Sequence, residues 1–152
     1  MPRVAIMLGS RTDEQVMQGC VDVLTKFGID HEVRILSAHR NPEEVAAYVK
    51  GAEGAGIRVL IAAAGMAAHL PGVVAAYTTL PVIGVPLEGS ALNGVDALYA
   101  IVQMPSGVPV ATVAIGAAGA KNAGVLAAQI LALSDPEVRS KLVAFKKNGA
   151  RF

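Results

Sequence analysis

The chain has 152 residues, a formal net charge of +1, 53% hydrophobic and 16% charged residues. Its length suits a single domain, residues 1–152, with a full hydrophobic core, and its charge gives nucleic-acid binding no electrostatic support. Three Tyr, three Phe and no Trp leave few rings for base stacking, and a lone cysteine, Cys20, excludes an internal disulfide and a multi-cysteine zinc site.

In chain order, Arg3 to Leu8 reads as a short buried strand. A helix follows from near Thr12, with Thr12 and Gln15 at capping-box spacing and Phe27-Gly28 closing it. His31 to Leu36 is the second strand, which makes His31 a surface residue near its start. The second helix runs from Asn41 to Gly54, with Asn41 as N-cap, Pro42 in the first helical position and Glu44 in the third. Arg58 to Ala63 is the third strand, and the loop from Gly65 to Pro71 leads into a short helix ending near Tyr77. Pro81 to Val85 is the fourth strand, followed by a helix over 94–102. Pro109 to Ile115 is the fifth strand, and a long apolar helix covers 117–133. Asp135-Pro136-Glu137 starts a final helix that runs to about Lys147.

Short apolar strands separated by helices imply a parallel sheet covered on both faces. Five of them predict a flavodoxin-like doubly wound fold, a three-layer α/β/α domain. The apolar surplus needs cover beyond what one small domain supplies. The helix over 117–133 is apolar nearly all round, so a homo-oligomer is expected. The start, Met-Pro-Arg-Val-Ala-Ile, has no apolar core with a cleavage site. The apolar stretch after Ile57 is interrupted by His69 and Pro71, so no membrane span is expected and the expected location is cytoplasmic.

Ligands of such sheets bind at the carboxyl ends of the strands. The first strand end offers the hydroxyls of Ser10 and Thr12 beside helix amides that favour an anion, with Asp13 suited to sugar hydroxyls. The second offers His39 and Arg40. Arg40 matches a phosphate with two donors, and His39 can give and take a proton near neutral pH. The third offers Gly65, Ala67 and His69, where small residues let backbone amides approach a flat ligand. These groups point to an enzyme acting on a phosphorylated small molecule. Three histidines without metal-ligand spacing make a metal site unexpected, and no nucleophile-elbow signature appears.

Gly-Ser-Arg-Thr-Asp at 9–13, Ser-Ala-His-Arg at 37–40 and Ala-Ala-His-Leu-Pro-Gly at 67–72 occur together with Leu-Asn-Gly-Val-Asp-Ala-Leu at 92–98, Val-Gln-Met-Pro at 102–105 and Lys-Asn-Ala at 121–123. In this combination the chain resembles the N5-carboxyaminoimidazole ribonucleotide mutase family, the class I PurE proteins of purine (IMP) biosynthesis, over residues 3 to 147. The resemblance implies a flavodoxin-like homo-octamer, with the helix over about 135–147 at a subunit interface. It also implies isomerisation of N5-carboxyaminoimidazole ribonucleotide to the 4-carboxy product without a cofactor, and functional coupling to the synthetase that makes the substrate. Carried over by position, Ser10, Thr12 and Arg40 hold the 5′-phosphate, Asp13 holds the ribose, and His39 is the acid–base catalyst. Ser37 and the Gly65–His69 loop then line the pocket for the imidazole and the migrating carboxylate.

Two other readings stand beside this one. A sister class carboxylates aminoimidazole ribonucleotide directly with carbon dioxide; its third loop looks like Gly-Arg-Ser-Asn-Ala-Leu-Ser, whereas this chain has Gly65-Met66-Ala67-Ala68-His69-Leu70-Pro71. A non-catalytic flavodoxin-like nucleotide-binding module is the other. Glu88 departs from the small, mostly uncharged residues of its loop in the family. Since it would repel a substrate carboxylate, it is expected to point outward.

Overall fold

A computed structural model describes residues 3–152. The elements are β1 (Val4–Leu8), a 3-10 turn (Arg11–Asp13), α1 (Glu14–Lys26), β2 (His31–Ile35), α2 (Pro42–Ala52), β3 (Val59–Gly65), α3 (Leu70–Ala76), β4 (Val82–Leu87), α4 (Val95–Val102), β5 (Ala111–Thr112), α5 (Ala117–Ala132) and α6 (Pro136–Lys147). The strands pair in parallel in the order β2-β1-β3-β4-β5. This is the expected flavodoxin-like sheet, whose order reverses between β1 and β3.

Side-chain alternation along β1 builds the three layers. Val4, Ile6 and Leu8 face α1, α5 and α6, packing with Leu24, Ala123 and Phe145. Ala5 and Met7 face the other way, toward Val45, Val74 and Ile101 of α2, α3 and α4. Every residue of β1 and β4 is buried. Full burial of one aliphatic side chain contributes roughly 1.5–3 kcal/mol. A one-residue slip of a central strand would exchange the two faces, so their register is strongly specified.

The edge strands differ from expectation. β5 has two residues instead of the seven expected, pairing Ile83 with Ala111 and Gly84 with Thr112. Beyond it the backbone meets β4 only through single bonds, Val113 N to Gly84 O at 3.2 Å and Gly116 N to Pro86 O at 2.9 Å. Gly116, at φ 78°, then turns the chain into α5. At the other edge His31 is half-buried, with Nδ1 2.8 Å from the Ile29 carbonyl.

The apolar helix α5 finds much of its cover inside the chain, which narrows the inference drawn from its composition. Gly119, Ala120, Ala123, Gly124, Ala127, Ala128, Leu131 and Ala132 are buried. Small residues set the spacing here: a Cβ on Gly124 would lie 2.9 Å from Val23 Cγ1, and one on Gly119 only 1.7 Å from the Ala114 carbonyl oxygen. Exposed apolar side chains lie elsewhere, among them Leu92, Val95, Tyr99 and Val102 around α4, and Leu133 and Val143.

Asp135 caps α6 as its sequence suggests, accepting from Glu137 N at 3.0 Å and Val138 N at 3.1 Å. Its second oxygen accepts from Arg3 Nη1 at 2.7 Å, tying the start of the sheet to the last helix. That arginine, with the amide donors, holds the Asp135 carboxyl below the usual carboxylate range. Phe145 meets Phe27 edge to face at 5.5 Å. Burial pushes the Cys20 thiol up to about 12, as suits an inert core residue. Among the described residues no helix is long and apolar enough to cross a membrane.

Candidate active site

Four strand ends meet at one cavity of about 690 Å³, which lies over the point where the strand order reverses. From the end of β1 the chain turns at Gly9, whose amide donates to the Ala63 carbonyl at 3.3 Å. Ser10, in extended conformation, is the residue that caps the turn: its Oγ accepts from Thr12 N at 3.3 Å and lies 3.0 Å from Thr12 Oγ1. The expected cap at Thr12 is therefore displaced by two residues. A 3-10 turn precedes α1, which begins at Glu14. The two hydroxyls form a compact polar cluster beside Asp13, whose own amide donates to the Ser10 carbonyl at 3.1 Å. Partial burial raises the Asp13 carboxyl above its ordinary value, and a backbone hydrogen bond at Ser10 opposes that rise.

The turn after β2 ties itself together. Ser37 Oγ accepts from the amides of His39 at 3.3 Å and Arg40 at 3.2 Å, and the Asn41 amide donates to the Ser37 carbonyl at 2.8 Å. Asn41 does not cap α2 through its side chain; its Oδ1 faces back to accept from Ser37 N at 3.4 Å. Ser37 and Asn41 thus hold His39 and Arg40 toward the cavity, both exposed.

The loop after β3 brings the partner of His39. Gly65 lies close to the end of β4, where a Cβ would come within 3.3 Å of the Leu87 carbonyl oxygen. Met66 follows at φ 54°, and two tight bonds, Ala68 N to Met66 O at 2.9 Å and His69 N to Ala67 O at 2.8 Å, curl the chain into α3. This places His69 Nδ1 2.7 Å from His39 Nε2, with the rings crossed at 76°. One nitrogen donates and the other accepts, so a single proton lies between the two imidazoles.

The cavity wall contains all nine residues singled out from the sequence: Ser10, Thr12, Asp13, Ser37, His39, Arg40, Gly65, Ala67 and His69. Three features were not legible. The His39–His69 contact spans thirty residues of sequence. Met66 lines the wall in a left-handed conformation that its side chain does not advertise. Glu88, expected to point outward, is part of the wall. Its carboxylate rests against the start of α5, where a Cβ on Gly116 would lie 3.0 Å from Glu88 Oε1. No cluster of three metal-ligating side chains occurs among the described residues.

A parallel α/β sheet with a polar crevice at its switch point, furnished with donors for an anion and a proton-sharing imidazole pair, defines a flavodoxin-like protein built to hold a small anionic ligand. The family model described as AIR carboxylase matches residues 3–151. The chain is 56% identical over 151 residues to the N5-carboxyaminoimidazole ribonucleotide mutase of Thermotoga maritima, covering 99% of this chain and 87% of that protein. It is 50% identical over 145 residues to the protein of the same name from Escherichia coli, covering 95% and 86%. Among solved structures it is similar to Treponema denticola PurE, with a TM-score of 0.88 and 31% identity over 99% of this chain and 92% of that one. The chain belongs to the AIR carboxylase family.

Proposed function

We propose that this chain is an N5-carboxyaminoimidazole ribonucleotide mutase, an isomerase of purine biosynthesis that moves a carboxyl group from the exocyclic nitrogen to ring carbon 4. The observation that carries the reading is the His39–His69 pair at 2.7 Å, set in one cavity with Arg40 and the Ser10–Thr12 hydroxyls. The relatives named as mutases at 50–56% identity support the same substrate.

In this reading Arg40 and the donors of Ser10 and Thr12 bind the 5′-phosphate, and Asp13 accepts from the ribose hydroxyls. Ser37 and the loop from Gly65 through Ala67 to His69 face the imidazole and its carboxyl group. His39 protonates the exocyclic nitrogen as the carbamate N–C bond breaks. The bond pair stays on nitrogen and carbon dioxide is released inside the cavity. Carbon 4 then attacks the carbon dioxide, forming the new C–C bond, and its proton returns to His39. The reaction is an isomerisation with no net gain or loss of protons or electrons. His69 orients the imidazole of His39 through their shared hydrogen, so the shuttle nitrogen stays aimed at the substrate.

The chain functions in this reading as one catalytic domain, in a cytoplasmic homo-octamer, coupled to the synthetase that supplies the unstable carbamate. The exposed Leu92, Val95, Tyr99 and Val102 around α4, with Leu133 and Val143 near the packed pair α5 and α6, are the apolar surface such an assembly needs to cover. They support α6 at a subunit interface; light scattering at an octamer mass is the expected result, and a monomer mass would contradict it.

The substrate assignment is tested by supplying the purified protein with N5-carboxyaminoimidazole ribonucleotide or, separately, with aminoimidazole ribonucleotide and low bicarbonate. Efficient formation of the 4-carboxy product from the first alone is expected. Efficient turnover of the second would place the chain with the direct carboxylases, and binding without turnover of either would make it a nucleotide-binding module.

A further inference from the structure

One residue of the cavity wall breaks two local rules at once. Met66 has φ 54°, a left-handed conformation that strains any side chain with a Cβ. It is also 63% exposed. Of the residues lining the cavity, Leu70 is buried and the remaining apolar ones are alanines and glycines, so Met66 is the one large apolar side chain there that is open to solvent. Gly65 directly before it is pressed against the end of β4, and His69 three residues on shares a hydrogen with His39. Folding alone does not call for a strained, exposed thioether at this point; a glycine would relieve the backbone and a polar residue would suit the solvent.

We infer that Met66 is the apolar cover of the reacting carbon, a positioning residue that keeps released carbon dioxide next to carbon 4 until the new bond forms. The inference rests on the mutase reading. Every other group at the cavity wall is polar, small or buried, while the migrating species is briefly a neutral, apolar molecule with no charge for Arg40 or the hydroxyls to hold. Retention must then come from excluded water and from contact with a flexible, polarisable side chain. Bound substrate would cover the methionine. Met66 lines the cavity between Gly65 and Ala67, next to the loop that carries His69.

The test follows N5-carboxyaminoimidazole ribonucleotide in buffer containing ¹³C-bicarbonate, measuring the 4-carboxy product, free aminoimidazole ribonucleotide and ¹³C in the product. Met66→Ala keeps the backbone strain and removes the cover; Met66→Gly removes both; Met66→Leu keeps an apolar cover of similar size. The expected result is about tenfold more free aminoimidazole ribonucleotide per product formed in the alanine and glycine variants, with matching ¹³C uptake, and rescue by leucine. Met66→Gly should also raise the unfolding midpoint by roughly 2–4 °C, so that stability and retention move in opposite directions. Wild-type partitioning in both the alanine and glycine variants would overturn the inference, as would complete loss of substrate consumption in Met66→Ala. If the wild-type protein forms no 4-carboxy product, the mutase reading fails, and this inference with it.

Discussion

The two sides of this molecule are built under different demands. The layer of α1, α5 and α6 is close-packed, with Gly119 and Gly124 bringing backbones together and no buried polar or charged residue in need of a partner. The carboxyl edge of the same sheet carries a left-handed Met66, a carboxyl at Asp13 held against its ordinary ionisation, and two imidazoles on one hydrogen. Neither the strain nor the unfavourable ionisation helps the chain fold. The contrast says that stability resides in the helical layer, and that the site draws on that stability.

Changes on one side should therefore leave the other readable. The largest effect is expected from His39→Asn, which should lower turnover about a thousandfold while product affinity, measured by calorimetry, stays near wild type. Gly124→Ala works within the helical layer. Its Cβ would lie 2.9 Å from Val23 Cγ1 and 3.2 Å from the Cys20 carbonyl oxygen, so a loss of about 2 kcal/mol in urea unfolding is expected, with the turnover of the protein that remains folded unchanged. Arg40→Met should raise KM about thirtyfold with a smaller change in kcat, because a charged partner of the phosphate is lost; Arg40→Lys should recover part of it.

Asp13→Asn sharpens the comparison most finely, because it should move the two sides in opposite directions. The folded-state pKa of Asp13 lies above its unfolded value, so folding disfavours the ionised form. The native protein then loses stability as pH rises through the unfolded value, near 3.9, to the folded one. Asparagine removes that loss. The variant should be slightly more stable than wild type at neutral pH and gain nothing below about pH 3.9, while binding substrate more weakly. Equal stability at both pH values would show that the carboxyl imposes no strain on the fold.

The sequence exposed this division unevenly. Strand order and the two helical layers follow from short apolar runs separated by capped helices, and these are visible in the residues themselves. The site residues were visible as strand-end loops rich in Ser, Thr, His and Arg, because the fold class sends all such loops to one edge. Three-dimensional proximity was not: nothing local says that His39 reaches His69, or that Ser10 rather than Thr12 caps the first turn. The cap is decided by the Ser10 hydroxyl reaching the Thr12 amide, a geometry that spacing rules for longer caps miss. β5 reads as a long strand because Pro109 to Ile115 is apolar, yet only two of its residues keep the ladder before the chain swings toward α5. Met66 was hidden for the opposite reason, since an apolar residue between small ones looks like core until its φ is known.

The most direct test mixes freshly prepared N5-carboxyaminoimidazole ribonucleotide with purified wild-type protein and with His39→Asn, without ATP or added metal, and follows ultraviolet absorbance. Immediate formation of the 4-carboxy product is expected with wild type, and loss of nearly all of that rate in the variant. Comparable rates from both proteins would contradict the assignment of His39, and no product from the wild type would contradict the function itself.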